Sequence, residues 1–303
     1  LGEILVLMFK NKCRYTCLLP VILISYCLIL SGCDETRLES SWPDNKIIID
    51  AKYGDWGSAQ TYYNEKEKVL INLANDKEYF YICLITRNRG LEIRLMEEGF
   101  IAWFDPGANK KKTFGIRFPV GLRRQGISLD EAKKEGNDWY NQEDKSGVID
   151  REREKWQDSE FNKQLETIEG LQDQLEIIEI TSGRKGNLPG PQKMLNLEDA
   201  EKSGIEAKLG RENDYFVYEL KIPLVKSADQ PYAVNARPGK PFGLGLEISG
   251  PGANKSKGLL FNDEEAEGGP AEPAMQPRGM MDSGRGFQLW AVITPAEGLP
   301  NPN

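Results

Sequence analysis

Val69-Leu70-Ile71-Asn72-Leu73-Ala74 and Tyr79-Phe80-Tyr81-Ile82-Cys83-Leu84-Ile85-Thr86 are two β-branched and aromatic runs joined by Asn75-Asp76-Lys77-Glu78. Such runs suit the pleated, half-buried surface of a sheet, and a short polar link between two of them closes a hairpin. The same signature recurs outward from this hairpin. Lys46-Ile47-Ile48-Ile49-Asp50 reads as an earlier strand, and Phe100 to Asp105 with Thr113 to Phe118 reads as a second hairpin around Pro106-Gly107-Ala108-Asn109. Past residue 200 the alternation is regular. Ile205, Ala207 and Leu209 share one face; Phe216, Tyr218, Leu220 and Ile222 the next; Phe242, Leu244, Leu246 and Ile248 another; Phe287 to Ile293 closes the series. Period-two runs separated by turn residues predict a mainly β protein, an antiparallel β-sandwich of about eight to eleven strands forming one domain over residues 46–293.

Two segments break the pattern. Residues 122–200 are mostly polar, with Phe161, Leu165, Ile168 and Leu175 at helical spacing. That stripe predicts an amphipathic helix near 159–173 laid on the outside of the sandwich, or alternatively offered to a partner. Leu175 to Ile180 then returns to strand. Residues 262–285 are rich in Gly, Pro, Glu and Met without apolar periodicity, which predicts a disordered loop, and residues 294–303 read as a tail.

The N-terminal stretch concerns location. Lys10, Lys12 and Arg14 precede an apolar run from Cys17 to Leu30, followed by Ser31-Gly32-Cys33. A basic n-region, a short apolar core and small residues before a cleavage point make a secretory signal peptide, and the run is shorter than the ~20 apolar residues of a membrane span. Leu30-Ser31-Gly32-Cys33 looks like a bacterial lipobox, in which the Cys33 thiol receives a diacylglycerol and the new N-terminus a fatty acid such as palmitate. The expectation is a lipoprotein anchored to a membrane of the cell envelope, facing the periplasm or the cell exterior. Met8 reads as the start, Leu1 to Leu7 as an upstream extension, residues 1–32 as removed, and 33–45 as a polar tether.

Of 39 basic and 47 acidic residues, residues 1–32 hold three and one, so the remainder carries a net charge of −10. A surface of that sign repels nucleic acid, which is excluded as a partner. Cys83 is the one cysteine beyond Cys33, inside an apolar run, and reads as a buried, inert thiol. The chain has no histidine. Ser-His-Asp and Cys-His catalysis and histidine-ligated haem are therefore excluded, as are the usual catalytic zinc sites. Met96 and Met194 show no pairing that would ligate haem. No carboxylate pattern of a sandwich glycosidase is present, and the chain is read as not an enzyme.

Ile49-Asp50-Ala51-Lys52-Tyr53-Gly54-Asp55-Trp56 resembles the opening Asp-Gly-x-x-x-Asp-Trp segment of family 9 carbohydrate-binding modules and their DOMON-like relatives. Asn75 to Tyr81 is similar to their Asp-Asp-x-x-Leu-Tyr hairpin, and Trp103-Phe104-Asp105-Pro106 to their Phe-Ile-Asp-Pro strand end. Tyr218-Glu219-Leu220-Lys221-Ile222-Pro223-Leu224 and Gly239 to Leu244 resemble the late Glu-x-x-Ile-Pro and Gly-rich blocks. The resemblance implies a jelly-roll-like sandwich. It also implies sugar binding between aromatic rings, often beside structural calcium. The family's pair of clamping tryptophans has no counterpart at aligned positions.

Candidate site residues follow from strand parity. Trp56 and Trp290 read as core. If Phe100, Ala102 and Phe104 face the core, then Ile101, Trp103 and Asp105 face the other side of the sheet, and Arg117 joins them from the partner strand. Trp103 and Arg117 are thus the expected ligand platform, unless the helical insertion covers them. Trp139, Tyr140 and Trp156 lie in the polar insertion. Asp105 and Asn109 bracket a turn and offer oxygens to calcium, which takes about six to eight, although an Asp-Pro-Gly turn also holds itself without metal. The sequence calls for no other cofactor. The functional expectation is a non-catalytic ligand-binding module on the envelope with carbohydrate as first ligand; the alternative is an envelope scaffold that docks another protein.

Overall fold

Strand parity sorts the side chains into two packed sheets. The computed structural model describes residues 36–57, 59–127, 151–183, 186–189, 192–236, 239–248 and 286–298, with backbone alone at 151–156, 181–183 and 186–189. One sheet runs β1 (Arg37–Glu39), β13 (Gln288–Thr294), β12 (Phe242–Glu247), β5 (Ile101–Asp105), β6 (Phe114–Arg117), β7 (Gln174–Gly183) and β8 (Gly186–Pro189), with β9 (Lys193–Asn196) also paired to β7. The other runs β10 (Glu206–Glu212), β11 (Tyr215–Pro223), β4 (Tyr79–Thr86), β3 (Val69–Asn75) and β2 (Gln60–Asn64). Neighbouring strands are antiparallel except β1, which lies parallel to β13. This is a mainly β sandwich with helices between strands. Thirteen strands among the described residues exceed the expected number because β1, β8 and β9 are only three or four residues long.

The inner faces carry the alternating apolar residues. Ile71 and Leu73, Phe80, Ile82 and Leu84, and Phe216 to Ile222 at every second position meet Phe242, Leu244, Leu246, Phe104 and Ile116 in one core. Rings interlock inside it: Phe80 meets Phe242 edge-on at 5.1 Å and Phe100 meets Tyr218 at 4.8 Å. Each such side chain removed from water contributes ~1.5–3 kcal/mol.

Residues 46–50 are not a strand. Ile47 is buried and Ile48 exposed, but the backbone is satisfied by side chains in place of a ladder. Ile48 N donates to Asp55 Oδ2 (2.7 Å), while Asp50 N and Ala51 N donate to Glu219 Oε2 (2.9 and 2.6 Å). Trp56 Nε1 donates to Glu219 Oε1 (2.6 Å). The opening Asp-Trp block and the late Glu-x-x-Ile-Pro block therefore meet at one fully buried carboxylate on β11. Trp56 is buried, as expected, between this loop and the outer face of the second sheet, where it packs with Ile47, Tyr81, Ile85 and Val217. Ala51 takes φ +62°, a left-handed conformation that glycine adopts more readily than a residue with a Cβ. Cys83, opposite Glu219 on β4, is a free, buried thiol whose burial pushes its pKa up.

Residues 37–41, within the segment read as tether, are built into the sandwich. β1 extends the first sheet, and Ser41 bridges Ala74 of the second. The insertion also differs from its reading. Its helix α2 spans Arg151–Thr167, starting earlier and ending sooner than 159–173. Phe161 and Leu165 lie on it, Ile168 follows it, and Leu175 belongs to β7. All four are buried in the main core. Phe161 meets Phe216 edge-on at 6.5 Å, so α2 closes the sandwich where it packs on β10. Two further helices, α1 (Arg89–Glu98) and α3 (Leu197–Lys202), were not legible in the apolar pattern. Buried Glu92 on α1, ion-paired to Arg89 at 3.1 Å and to Arg211 at 2.5 Å, interrupts the apolar stripe that would have marked it. Residues 1–35 with Cys33, Trp139, Tyr140, and 262–285 lie outside the described residues.

Candidate functional site

The outer face of the first sheet gathers the expected platform. Strand pairing sets Trp290, Gly245, Trp103, Gly115 and Ile178 side by side in one row across β13, β12, β5, β6 and β7. A second row holds Glu247, Ile101, Arg117 and Glu176. Large and small residues alternate along the first row for a steric reason. A Cβ on Gly115 would stand 2.7 Å from Trp103 Cε3, and one on Gly245 would stand 2.7 Å from Trp290 Cε2 and Cζ2. Both indoles therefore lie on glycine backbone, which only a residue without a Cβ permits.

Trp103 and Arg117 do share this face, as their parity requires. Both are buried, at 5% and 7% exposure. Trp103 packs with Ile101 and Ile178, donates Nε1 to Glu247 Oε2 at 3.0 Å, and has Lys112 Nζ 5.2 Å from its ring centroid. Lys112 also pairs with Glu247. Arg117 forms a short ion pair with buried Glu176, which Arg124 reaches at 3.4 Å. Burial pulls the Arg117 pKa down, and the Glu176 charge opposes that pull. The polar groups of both expected ligand residues are thus engaged within the protein.

Trp290 is on this outer face and not in the core, a correction to its sequence reading. Leu289, Ala291 and Ile293 take the inner face, which turns residue 290 outward. It is half-buried against the cluster of Ile101, Trp103 and Ile178. The signal was present in the sequence as the Gly243 and Gly245 alternation beside a strand with one large aromatic of opposite parity.

Asp105 and Asn109 do meet at the β5–β6 turn. Asp105 Oδ1 accepts from Gly107 N (3.0 Å), and Oδ2 accepts from Asn109 N (2.7 Å) and Lys111 N (3.0 Å). Asn109 Nδ2 donates to Gly107 O (2.8 Å). Three N–H groups point at the carboxylate from the directions a cation would occupy, so calcium would have to displace the bonds that form the turn. Among the described residues no cluster of three acidic or sulfur ligands could hold a metal. Met96 is wholly buried in the core and Met194 is exposed.

No family model matches the chain, and no curated protein matches it. Among solved structures, the chain is similar to a carbohydrate binding module family 9 from Caldicellulosiruptor kristjanssonii in complex with glucose, at 8% identity, TM-score 0.36, covering 88% of this chain and 100% of that one.

Proposed function

We propose that this protein is a non-catalytic carbohydrate-binding module held on the cell envelope by a lipid on Cys33. One observation carries the binding reading: Trp290 packs closely against Gly245, half-buried, with Glu247 and Lys112 in the adjoining part of the same face. A pyranose presents an apolar C–H face and a rim of hydroxyls, and needs an aromatic plane next to groups that both donate and accept. Trp290 supplies the plane. The Glu247 carboxylate and Lys112 ammonium supply acceptor and donor. Trp103 acts beneath as the packed support that fixes Glu247, and Arg117 with Glu176 stiffens the neighbouring strands.

The expected result is saturable binding of at least one oligosaccharide on a glycan array by the full chain in detergent. Trp290→Ala should weaken it at least about tenfold, equivalent to ~1.4 kcal/mol. An exposed residue away from this face, Tyr63→Ala, should leave it unchanged. No retained glycan, or binding indifferent to Trp290→Ala, would count against the reading. The rival is a protein-docking scaffold, favoured by the burial and internal pairing of Trp103 and Arg117, and that outcome would put it ahead.

Anchoring rests on the Leu30-Ser31-Gly32-Cys33 sequence. Wild type should partition into the detergent phase on cloud-point separation and label with palmitate, and Cys33→Ala should lose the label. An unlabelled wild type would refute it.

A further inference from the structure

We infer that a second cavity, walled by Trp42 and by the residues that directly follow β13, binds a small zwitterionic amphiphile, an α-amino acid with a large apolar side chain. This goes beyond the carbohydrate reading and does not rest on it.

The cavity has a volume of about 370 Å³, within the range of small-molecule sites. Buried Leu224 and Ala236 and partly exposed Pro295 form its apolar part, with Val225 half-exposed beside them. Half-buried Trp42 makes one wall, with its ring edge against Gly298, where a Cβ would stand 3.1 Å from Cη2. Asn75 and Asp76 also line it, but their polar atoms are already used. Asp76 Oδ1 accepts from Glu78 N and Tyr79 N, and Oδ2 accepts from the Tyr81 hydroxyl, each at 2.7 Å. Asn75 Oδ1 accepts from the Ser40 hydroxyl and from Ala296 N (2.8 Å), and its Nδ2 donates to Asp76 O and Ala296 O (both 3.1 Å).

Two charged groups remain. Lys77 and Glu297 line the cavity from exposed positions, and neither has an ion-pair partner among the described residues. A sugar would bring several hydroxyls to a site whose interior partners are saturated, and each one left unpaired costs affinity. An apolar body bearing one carboxylate and one ammonium matches what the cavity offers: an apolar lining, one free cation and one free anion.

The test titrates the full chain in detergent with L-phenylalanine, 3-phenylpropionate, phenethylamine and glucose, following the indole N–H signal of Trp42 by NMR. L-Phenylalanine should bind saturably, and the probes lacking one charge about three- to fivefold more weakly, as expected for exposed ion pairs. Glucose should not move the signal. Trp42→Ala, which removes that signal and is therefore compared with wild type by isothermal titration calorimetry, should reduce L-phenylalanine affinity at least tenfold. Lys77→Gln and Glu297→Gln change exposed side chains and leave the fold intact. The first should weaken phenylpropionate and spare phenethylamine, and the second should do the reverse. Trp290→Ala should leave all of this unchanged, which separates a failure here from a failure of the carbohydrate reading. Absence of saturable L-phenylalanine binding, glucose displacing the signal, or equal effects of the two charge variants on all probes would overturn the inference.

Discussion

Glu219→Ala should cost about 3–5 kcal/mol of folding stability, read as a large fall in the denaturation midpoint. The substitution leaves three donors without an acceptor: Trp56 Nε1, Asp50 N and Ala51 N. A buried donor stripped of its partner costs ~1–3 kcal/mol, and the loop can rehydrate only in part. Asp55→Ala removes one acceptor at a partly exposed position, from Ile48 N, and should cost about 1 kcal/mol. Equal effects of the two would show that Glu219 does not hold the loop. The pH dependence has a definite sign. Burial pushes the Glu219 carboxyl up to about 8, against the pull of its bonds from Trp56 and Ala51. An unfolded glutamate releases its proton near pH ~4.3, so the folded state binds more protons between there and about 8. Stability should be highest below that window and decline as pH rises through it. Glu219→Gln should reduce the decline, the remainder coming from Glu92, whose carboxyl burial also pushes up to about 8. A midpoint constant from pH 5 to 8.5 in the wild type would contradict this.

Glu176→Leu should cost about 3–5 kcal/mol, and adding Arg117→Leu should recover much of the loss. Glu176 pairs with both Arg117 and Arg124, and Glu247 adds only a lesser favourable charge at Arg117, so removing Glu176 strips a buried guanidinium of its main counter-charge. Breaking one side of a buried pair is strongly destabilising, whereas replacing both sides with well-packed apolar groups is often neutral. A double-mutant cycle by urea denaturation should give a coupling of at least ~2 kcal/mol. The same cycle decides what Arg117 does. If Arg117→Leu costs little stability and instead abolishes glycan binding, Arg117 is a ligand group and not a strand lock.

The motif blocks that point toward a binding family turn out to hold loops. Asp50-Ala51 and Trp56 are gathered by Glu219, Asp76 caps the β3–β4 hairpin, and Asp105 caps the β5–β6 turn. In this chain the bonds serve the loops themselves, which is why the blocks spell out architecture and say little about chemistry.

Parity along each strand was enough to define the sandwich, its core faces and the sharing of one outer face by Trp103 and Arg117. A period of two is local, and the side a residue takes follows from its neighbours in the chain. Parity also contained the outward turn of Trp290, opposite to Leu289 and Ala291. What it could not contain is how much of an outer face stays open. That depends on segments distant in sequence: Lys112 and Glu247 converge on Trp103, and Glu176 reaches Arg117 from a strand 59 positions away. The failure at residues 46–50 has the same origin. Three isoleucines satisfy a strand pattern, but their backbone found acceptors in Asp55 and Glu219, and only the folded chain brings a carboxylate from 169 positions away to Asp50 N. Apolar periodicity determines which way side chains face. Long-range polar contacts decide which of them remain available to a ligand, and those exist only in the tertiary structure.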